Sequence, residues 1–144
     1  MRYFFIILFL SFGTFMPAQD TSQNAERGRA ADTAQKKDNK VMSGTASWYS
    51  NSFEGRRTAS GEIFSQKKLT AACNRLPLGT WVKLTNLRNN KTVIVKINDR
   101  MHPRMNRLVD LSRAAAAKLD FLSRGLTKVK LEVLGRKKPQ AAGE

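Results

Sequence analysis

The stretch WVKLTNLRNNKTVIVKINDR, from Trp81 to Arg100, contains the strongest fold signal in the sequence. In its first part, apolar Val82 and Leu84 alternate with polar residues, which is typical of a strand with one buried face. Asn89-Asn90 then marks a turn. The segment from Thr92 to Asn98 is rich in β-branched residues and nearly continuously apolar, as in a strand buried on both faces. We therefore predict two strands joined by a turn.

Two further segments have strand-like patterns. SGTASWYS, from Ser43 to Ser50, combines small residues with two aromatics in rough alternation, and LTKVKLEVL, from Leu126 to Leu134, alternates cleanly. Several short strands separated by turns indicate a small barrel or sandwich.

One helix interrupts the strands. Ser112 is a plausible N-cap before RAAAAKLDFL, where four alanines favour helix, and Gly125 is a stop signal after it. Trp81, on an alternating strand, is predicted to pack in the core. Residues 42–134 thus form one compact β-rich domain with a single short helix, a size that suits a small barrel.

The ends of the chain have a different composition. Residues 1–18 begin with the cation Arg2 and an apolar run from Tyr3 to Phe12, the pattern of a secretory signal, although an uncleaved anchor is an alternative. Residues 19–41 are predicted to be a disordered linker, because positions 20–40 contain no Val, Ile, Leu, Met or aromatic residue. Residues 135–144 form a basic, polar tail. We expect an exported protein of the periplasm or cell envelope, without a lipid anchor since no cysteine lies near the end of the apolar run.

The charge predicts an anionic partner. Lys and Arg number 26 against 11 Asp and Glu, which gives a net charge of +15. Behind a signal segment, cell-wall polymers and anionic envelope surfaces are better candidates than nucleic acid; plain solubility with weak adhesion is the alternative. Cys73 is the one cysteine, so no internal disulfide forms, and one His and one Cys among dispersed carboxylates predict neither a metal site nor a cofactor.

Asp99 is the most promising chemical group. It follows a strand predicted to be buried, so apolar neighbours such as Ile97 would raise its pKa, whereas the cation of Arg100 would lower it. A proton-donating carboxyl and a structural Asp that caps a turn are both consistent with this position.

Several motifs together resemble the rare lipoprotein A (RlpA) domain: ASWYS at 46–50, GRRTASGE at 55–62, LTAA at 69–72, LPLGT at 76–80 and DLSRAAA at 110–116. The resemblance implies a mainly β fold, a six-stranded double-psi β-barrel with a groove across it. It also implies a bacterial envelope protein that binds peptidoglycan glycan strands. Active members are lytic transglycosylases, which cut between N-acetylmuramic acid and N-acetylglucosamine and leave 1,6-anhydro ends.

The resemblance assigns catalytic roles to two carboxylates. Asp99 matches the aspartate of the family's Asn-Asp-Arg-Gly motif and would act as acid and base, while Glu62 would orient substrate or tune Asp99; an exposed loop carboxylate is the alternative for Glu62. Cys73 stands where the family usually has His, so it is expected to give packing or weak support rather than act as a nucleophile. His102 replaces part of a Gly-Pro segment and either supports the site or is solvated.

Six residues are candidates for substrate binding. Aromatic rings would stack on sugars and arginines would contact carboxylates, although paired arginines are also ordinary surface, and Asp110 would equally help to start the helix. They are Trp48, Tyr49, Arg56, Arg57, Arg100 and Asp110.

We therefore predict a monomeric peptidoglycan lytic transglycosylase. The alternative is a non-catalytic, expansin-like module that grips glycan through the same groove. A nucleic-acid-binding protein is the third interpretation, and the signal segment argues against it.

Overall fold

A computed structural model describes residues 40–140 of the chain. The signal segment predicted at 1–18, nearly all of the linker predicted at 19–41 and the end of the tail lie outside these residues. The elements are β1 (Val41–Trp48), β2 (Thr70–Ala72), β3 (Trp81–Asn86), β4 (Thr92–Asp99), β5 (Val109–Leu111), α1 (Arg113–Lys118) and β6 (Thr127–Gly135), with a 3₁₀ turn at Asn51–Phe53.

The six strands close into a barrel in the order β1-β5-β2-β4-β3-β6. The pairs β1/β5 and β2/β4 are parallel, and the other four are antiparallel. This ring with one helix confirms the predicted mainly β barrel. The β1/β5 pair places Ser47 beside Asp110, and Ala72 at the end of β2 pairs with both Asp110 and Asp99. The chain leaving β1 and the carboxylates Asp99 and Asp110 therefore meet at one region of the barrel.

Every second side chain along the strands points into the barrel interior and packs there. In β3, Val82, Leu84 and Asn86 are buried and the residues between them are half-buried. β6 follows the same rule, with Val129 and Leu131 fully buried. Helix α1 adds Ala115 and Ala116 to the same core. Gly44 in β1 leaves room for this packing, because a Cβ there would lie 2.6 Å from the Cβ of Leu108.

Two predictions about burial were wrong. Trp81 was expected in the core, but it begins β3 on the outward face and is half-buried. β4 was expected to be buried on both faces, yet Ile94 and Lys96 are only half-buried. In a closed barrel one face of every strand meets solvent or a surface loop, which explains both results.

The helix begins as predicted and ends early. The Ser112 side chain accepts a hydrogen bond from the Ala115 N–H, which confirms the N-cap. The helix stops at Lys118 because Asp120 adopts a left-handed conformation with φ 57°, and the Asp120 and Phe121 N–H groups bond back to Ala117 and Ala116. Gly125 therefore ends the following turn rather than the helix.

Candidate functional site

Two cavities that share walls form a groove on the barrel surface. The first, of about 290 Å³, is called the Asp99 chamber, and the second, of about 320 Å³, the Asp110 chamber. Tyr49, Phe53 and Arg100 line both. The Asp99 chamber is completed by Arg56, Arg57, Thr58, Phe64 and Asp99, and the Asp110 chamber by Trp48, Ser50, Met101, His102, Met105, Arg107 and Asp110.

The Asp99 carboxyl is held by three hydrogen-bond donors. Its Oδ1 accepts from the backbone N–H groups of Ala59 (2.9 Å) and Arg100 (2.8 Å), and its Oδ2 accepts from the Tyr49 hydroxyl at 2.8 Å. A carboxylate has about four acceptor positions, two on each oxygen. Oδ1 therefore has both positions filled, and Oδ2 keeps one for a proton or a ligand in the groove.

No cation pairs with Asp99 among residues 40–140. The side chain of Arg100, its neighbour in sequence, turns instead to the loop after β2, where its guanidinium donates to the carbonyls of Cys73 and Leu76 (2.7 Å for Leu76). The same loop is tied to β4 by the Cys73 N–H, which donates to the Asp99 carbonyl at 3.2 Å. Arg100 thus braces the backbone around Asp99 and leaves the carboxyl without an ion pair.

Tyr49 is a permanent donor to Asp99. Its ring packs against Phe64 and Phe53, with centroid distances of 4.5 and 5.4 Å. Burial of the ring, then the hydrogen bond to Asp99 and the charges of Asp99 and Asp110, raise the pKa of the Tyr49 phenol well above its ordinary value. The hydroxyl therefore keeps its proton wherever the protein is folded, and it fixes the orientation of Asp99.

Asp110 lies in the second chamber in a different electrostatic setting. Arg107 donates to both of its oxygens, at 2.8 and 3.0 Å, and the Ser47 hydroxyl donates to Oδ1. The hydrogen bonds with Asp110 raise the pKa of Arg107. The paired and largely buried Asp110 carboxylate shapes the groove wall, whereas Asp99 is the groove carboxyl that remains unpaired.

Glu62 stands behind the groove and lines neither chamber. Its two oxygens accept from the side chains of Lys96 and Asn98 (2.8 Å for Asn98), and these hydrogen bonds lower the pKa of Glu62. They fix the loop that carries Ala59, since the Ser60 N–H also donates to the Asn98 carbonyl at 3.0 Å. Glu62 is therefore connected to Asp99 through the backbone of that loop.

This arrangement gives Glu62 a pH-dependent effect on stability. Because the folded pKa of Glu62 lies below the ordinary value of a glutamate, its carboxylate stabilises the fold above that ordinary pKa and loses this contribution as the pH falls through the folded pKa. We expect Glu62→Gln to be less stable than the wild type at pH 7, by about 0.5–1 kcal/mol for a pair this exposed. The difference should shrink below about pH 4. Urea unfolding at both pH values measures it, and an equal difference at both would contradict the assignment.

The two residues that depart from the family pattern have different surroundings. Cys73 is fully buried in the core cluster and lines neither chamber, and its sulfur accepts only from the Arg75 N–H, at 3.4 Å. His102 is exposed and lines the Asp110 chamber, where its Nδ1 accepts from the Arg104 N–H at 3.2 Å. The imidazole of His102 therefore carries its proton on Nε2 when neutral.

The remaining candidates surround the groove. Arg56 stacks on Phe53 with its guanidinium 5.3 Å from the ring centre, and Arg57 donates to the Gly61 carbonyl at 3.0 Å. Trp48 lines the Asp110 chamber, with Arg113 5.7 Å above its ring.

The sequence indicated residues that line the groove, but it did not indicate which atoms they contact. Tyr49, predicted to stack on sugar, also donates from its hydroxyl to Asp99, a contact that was not predicted. The donor of Ala59 is its backbone N–H, so no side chain in the sequence pointed to it. Arg107 was not predicted as a site residue, although it precedes Asp110 by three residues. Between residues 40 and 140, no three His, Cys, Asp or Glu side chains come together to hold a metal ion. No helix in that range has the length and apolar character of a membrane-spanning segment.

Comparison with known proteins identifies related sequences. Residues 41–131 match the family described as "Lytic transglycolase". The endolytic peptidoglycan transglycosylase RlpA of Haemophilus influenzae is 40% identical over 125 residues, which is 87% of this chain and 44% of that protein. The probable endolytic peptidoglycan transglycosylase RlpA of Treponema pallidum is 54% identical over 91 residues, 63% of this chain and 29% of that protein. The chain thus spans less than half the length of these curated relatives.

Solved structures share the fold. The Streptomyces papain inhibitor superposes with a TM-score of 0.54 at 25% identity, covering 65% of this chain and 94% of that one. The apo form of the Clavibacter michiganensis expansin gives a TM-score of 0.55 at 19% identity, covering 69% of this chain and 53% of that one. These similarities concern the barrel.

Proposed function

The chain belongs to the lytic transglycolase family, and from that premise we propose that it cleaves the glycan strands of peptidoglycan in cell-wall remodelling. The observation that carries the proposal is the Asp99 carboxyl, which opens into a groove without an ion pair and keeps one acceptor position on Oδ2 unused. The names of the RlpA relatives support the same substrate and reaction class.

Asp99 is proposed to work as both acid and base. Protonated at Oδ2, it gives its proton to the glycosidic oxygen between N-acetylmuramic acid and N-acetylglucosamine as the bond from that oxygen to the anomeric carbon breaks. The ionised carboxylate then faces the oxocarbenium-like sugar and stabilises its charge. When the 6-hydroxyl of the same sugar attacks the anomeric carbon, its proton returns to Oδ2, which leaves a 1,6-anhydro ring and consumes no water.

The surrounding residues prepare Asp99 for this cycle. Two backbone N–H groups occupy Oδ1, so the mobile proton belongs on Oδ2, and Tyr49 keeps that oxygen directed at the groove in both protonation states. Glu62 and Arg100 act as positioning residues through the backbone on either side of Asp99. The aromatic walls offer faces for sugar stacking, and Arg56 and Arg57 offer donors for carboxylates or acetamido oxygens.

A binding module without turnover is the second candidate. Cys73, which stands at the family's usual His position, is buried and cannot replace an imidazole in the groove. Under this alternative, the two chambers bind glycan and no bond is broken.

We further propose that the protein acts in the cell envelope after export, as a monomer. The cell-wall substrate of the RlpA relatives and the signal pattern of residues 1–18 support the location.

One assay separates the candidates. Purified protein is incubated with peptide-free glycan strands, and the products are analysed by mass spectrometry. Shortened strands with anhydro ends support the transglycosylase. Hydrolytic ends would contradict the anhydro mechanism, and tight binding with intact strands would establish the binding module instead.

A further inference from the structure

The outer surface of β1, β3 and β6 carries a lysine array that the groove does not use. Register places Lys83 of β3 beside Glu132 of β6, and Lys130 and Lys128 of β6 beside small polar residues of β1. The three lysines and Glu132 are on the outward face of their strands. Lys128 is exposed, and Lys83, Lys130 and Glu132 are half-buried. We call Lys83, Lys128 and Lys130 the lysine face.

This face has little compensating negative charge. Glu132 is the one acidic residue in β1, β3 and β6, and its carboxylate lies 3.5 Å from the Lys130 ammonium. Lys128 donates to the neutral Thr45 hydroxyl at 3.0 Å, and no ion pair involves Lys83 or Lys128 among residues 40–140.

More positive charge borders one end of the face. Lys40 lies alongside the end of β6, since its carbonyl accepts from the Val133 N–H at 3.0 Å. The exposed cations Arg136, Lys137 and Lys138 follow directly after β6. Charges within about 10 Å of one another act together on a partner at ordinary ionic strength. The result is a broad cationic surface.

The lysine face lies away from the groove. In the ring of strands, β3 and β6 are adjacent and stand opposite β5 and β2. The groove is built from residues at the ends of β1 and β4, from β5, and from the chain between β1 and β2 and between β4 and β5. A partner can therefore cover β3 and β6 while the groove stays open.

From this surface we propose that the outer face of β1, β3 and β6 docks on a bilayer that contains anionic phospholipids. A single polymer strand is best held in a groove, and both chambers of the groove are elsewhere on the barrel. Lysines on the neighbouring strands β3 and β6, with Lys40 and the cations of residues 136–138 at one end, match instead an extended array of phosphate groups. Each basic residue near such a surface adds to its attraction. The protein would then rest on the membrane and present its groove to the cell wall.

Vesicle sedimentation tests this proposal. The processed protein, without the signal segment predicted at residues 1–18, is mixed with vesicles of phosphatidylcholine, with or without about one-third phosphatidylglycerol. We expect binding to the anionic vesicles alone, and loss of binding as salt shortens the screening length. The variant Lys83→Gln/Lys128→Gln/Lys130→Gln should bind at least about 25-fold more weakly, because the two lysines without an ion pair contribute roughly fivefold each.

A matched variant controls for net charge. Lys67→Gln/Lys68→Gln/Lys118→Gln removes the same charge from exposed positions outside the lysine face and should bind nearly as well as the wild type. Equal weakening of the two variants, equal binding to neutral vesicles, or binding to isolated cell walls without binding to vesicles would overturn the proposal. Cleavage of soluble glycan strands should be unchanged in the lysine-face variant, so this result is independent of the proposed activity.

Discussion

Replacing Asp99 with asparagine should lower the rate of glycan cleavage by about 10²–10⁴-fold, the usual contribution of general acid–base catalysis. The amide is nearly isosteric with the carboxyl, so its oxygen can still accept from the Ala59 and Arg100 N–H groups. What it lacks is an acidic proton to give to the glycosidic oxygen. The rate is measured as anhydro ends released per unit time from peptide-free strands.

Binding and folding must be measured beside the rate. Asp99→Asn should keep its affinity for glycan and its thermal unfolding midpoint within a few degrees, because stacking and arginine contacts in the groove are unchanged. Asp120→Asn is a matched control: its carboxylate pairs with Lys91 on the surface and lines neither chamber. Cleavage that persists in Asp99→Asn at the wild-type rate would remove Asp99 from the mechanism.

Cys73→His probes the departure from the family pattern. The wild-type thiol is completely buried, and an imidazole at that position needs both more volume and a polar partner. A small apolar side chain fits this buried position, and Asp99 would have to work without an imidazole from the loop after β2.

Four of the six strands and the start of the helix could be predicted because their signals are local, whereas the six-stranded barrel was implied by the family resemblance. The strand patterns at 43–50, 81–86, 92–98 and 126–134 and the Ser112 cap each reflect burial or hydrogen bonding within a few residues. Trp81 was misjudged because its aromatic character was given more weight than its position: it shares the face of Lys83 and Thr85, opposite the buried Val82 and Leu84.

The sequence indicated residues of the candidate site, but it did not indicate the hydrogen bonds between them. Asp99 was recognisable from its position at the end of a strand and from its family motif. Its partners Tyr49 and Ala59 are 50 and 40 residues away, and Arg100, adjacent in sequence, points elsewhere. Only the closed barrel brings these distant donors to the Asp99 carboxyl. Arg100 was expected to act on Asp99 as a neighbouring cation, whereas the arginine–aspartate ion pair in the groove is Arg107–Asp110.

The structural importance of Asn86 was not visible in the sequence pattern. It is 2% exposed, its amide donates to the Leu119 carbonyl at 2.8 Å, and its oxygen accepts from the Thr127 hydroxyl at 2.8 Å and the Arg88 N–H at 3.0 Å. One side chain thus joins the end of β3, the end of α1 and the start of β6. The Leu119 carbonyl is among those left without a partner at the end of a helix, which explains how α1 ends inside the protein.

Asn86→Ala should therefore destabilise the protein by about 3 kcal/mol, since it leaves the buried Thr127 hydroxyl unpaired and opens a cavity. Within a total stability of about 5–15 kcal/mol, that loss is large. Urea unfolding of Asn86→Ala, Thr127→Val and the double variant tests the cause: removing the hydroxyl as well should recover about 1–2 kcal/mol relative to additivity. Asn89→Ala, which loses a second donor to the same Leu119 carbonyl at a more exposed position, should cost less than about 1 kcal/mol. If the Asn86 and Thr127 effects simply add, the hydrogen bond between these two side chains does not couple β3 to β6.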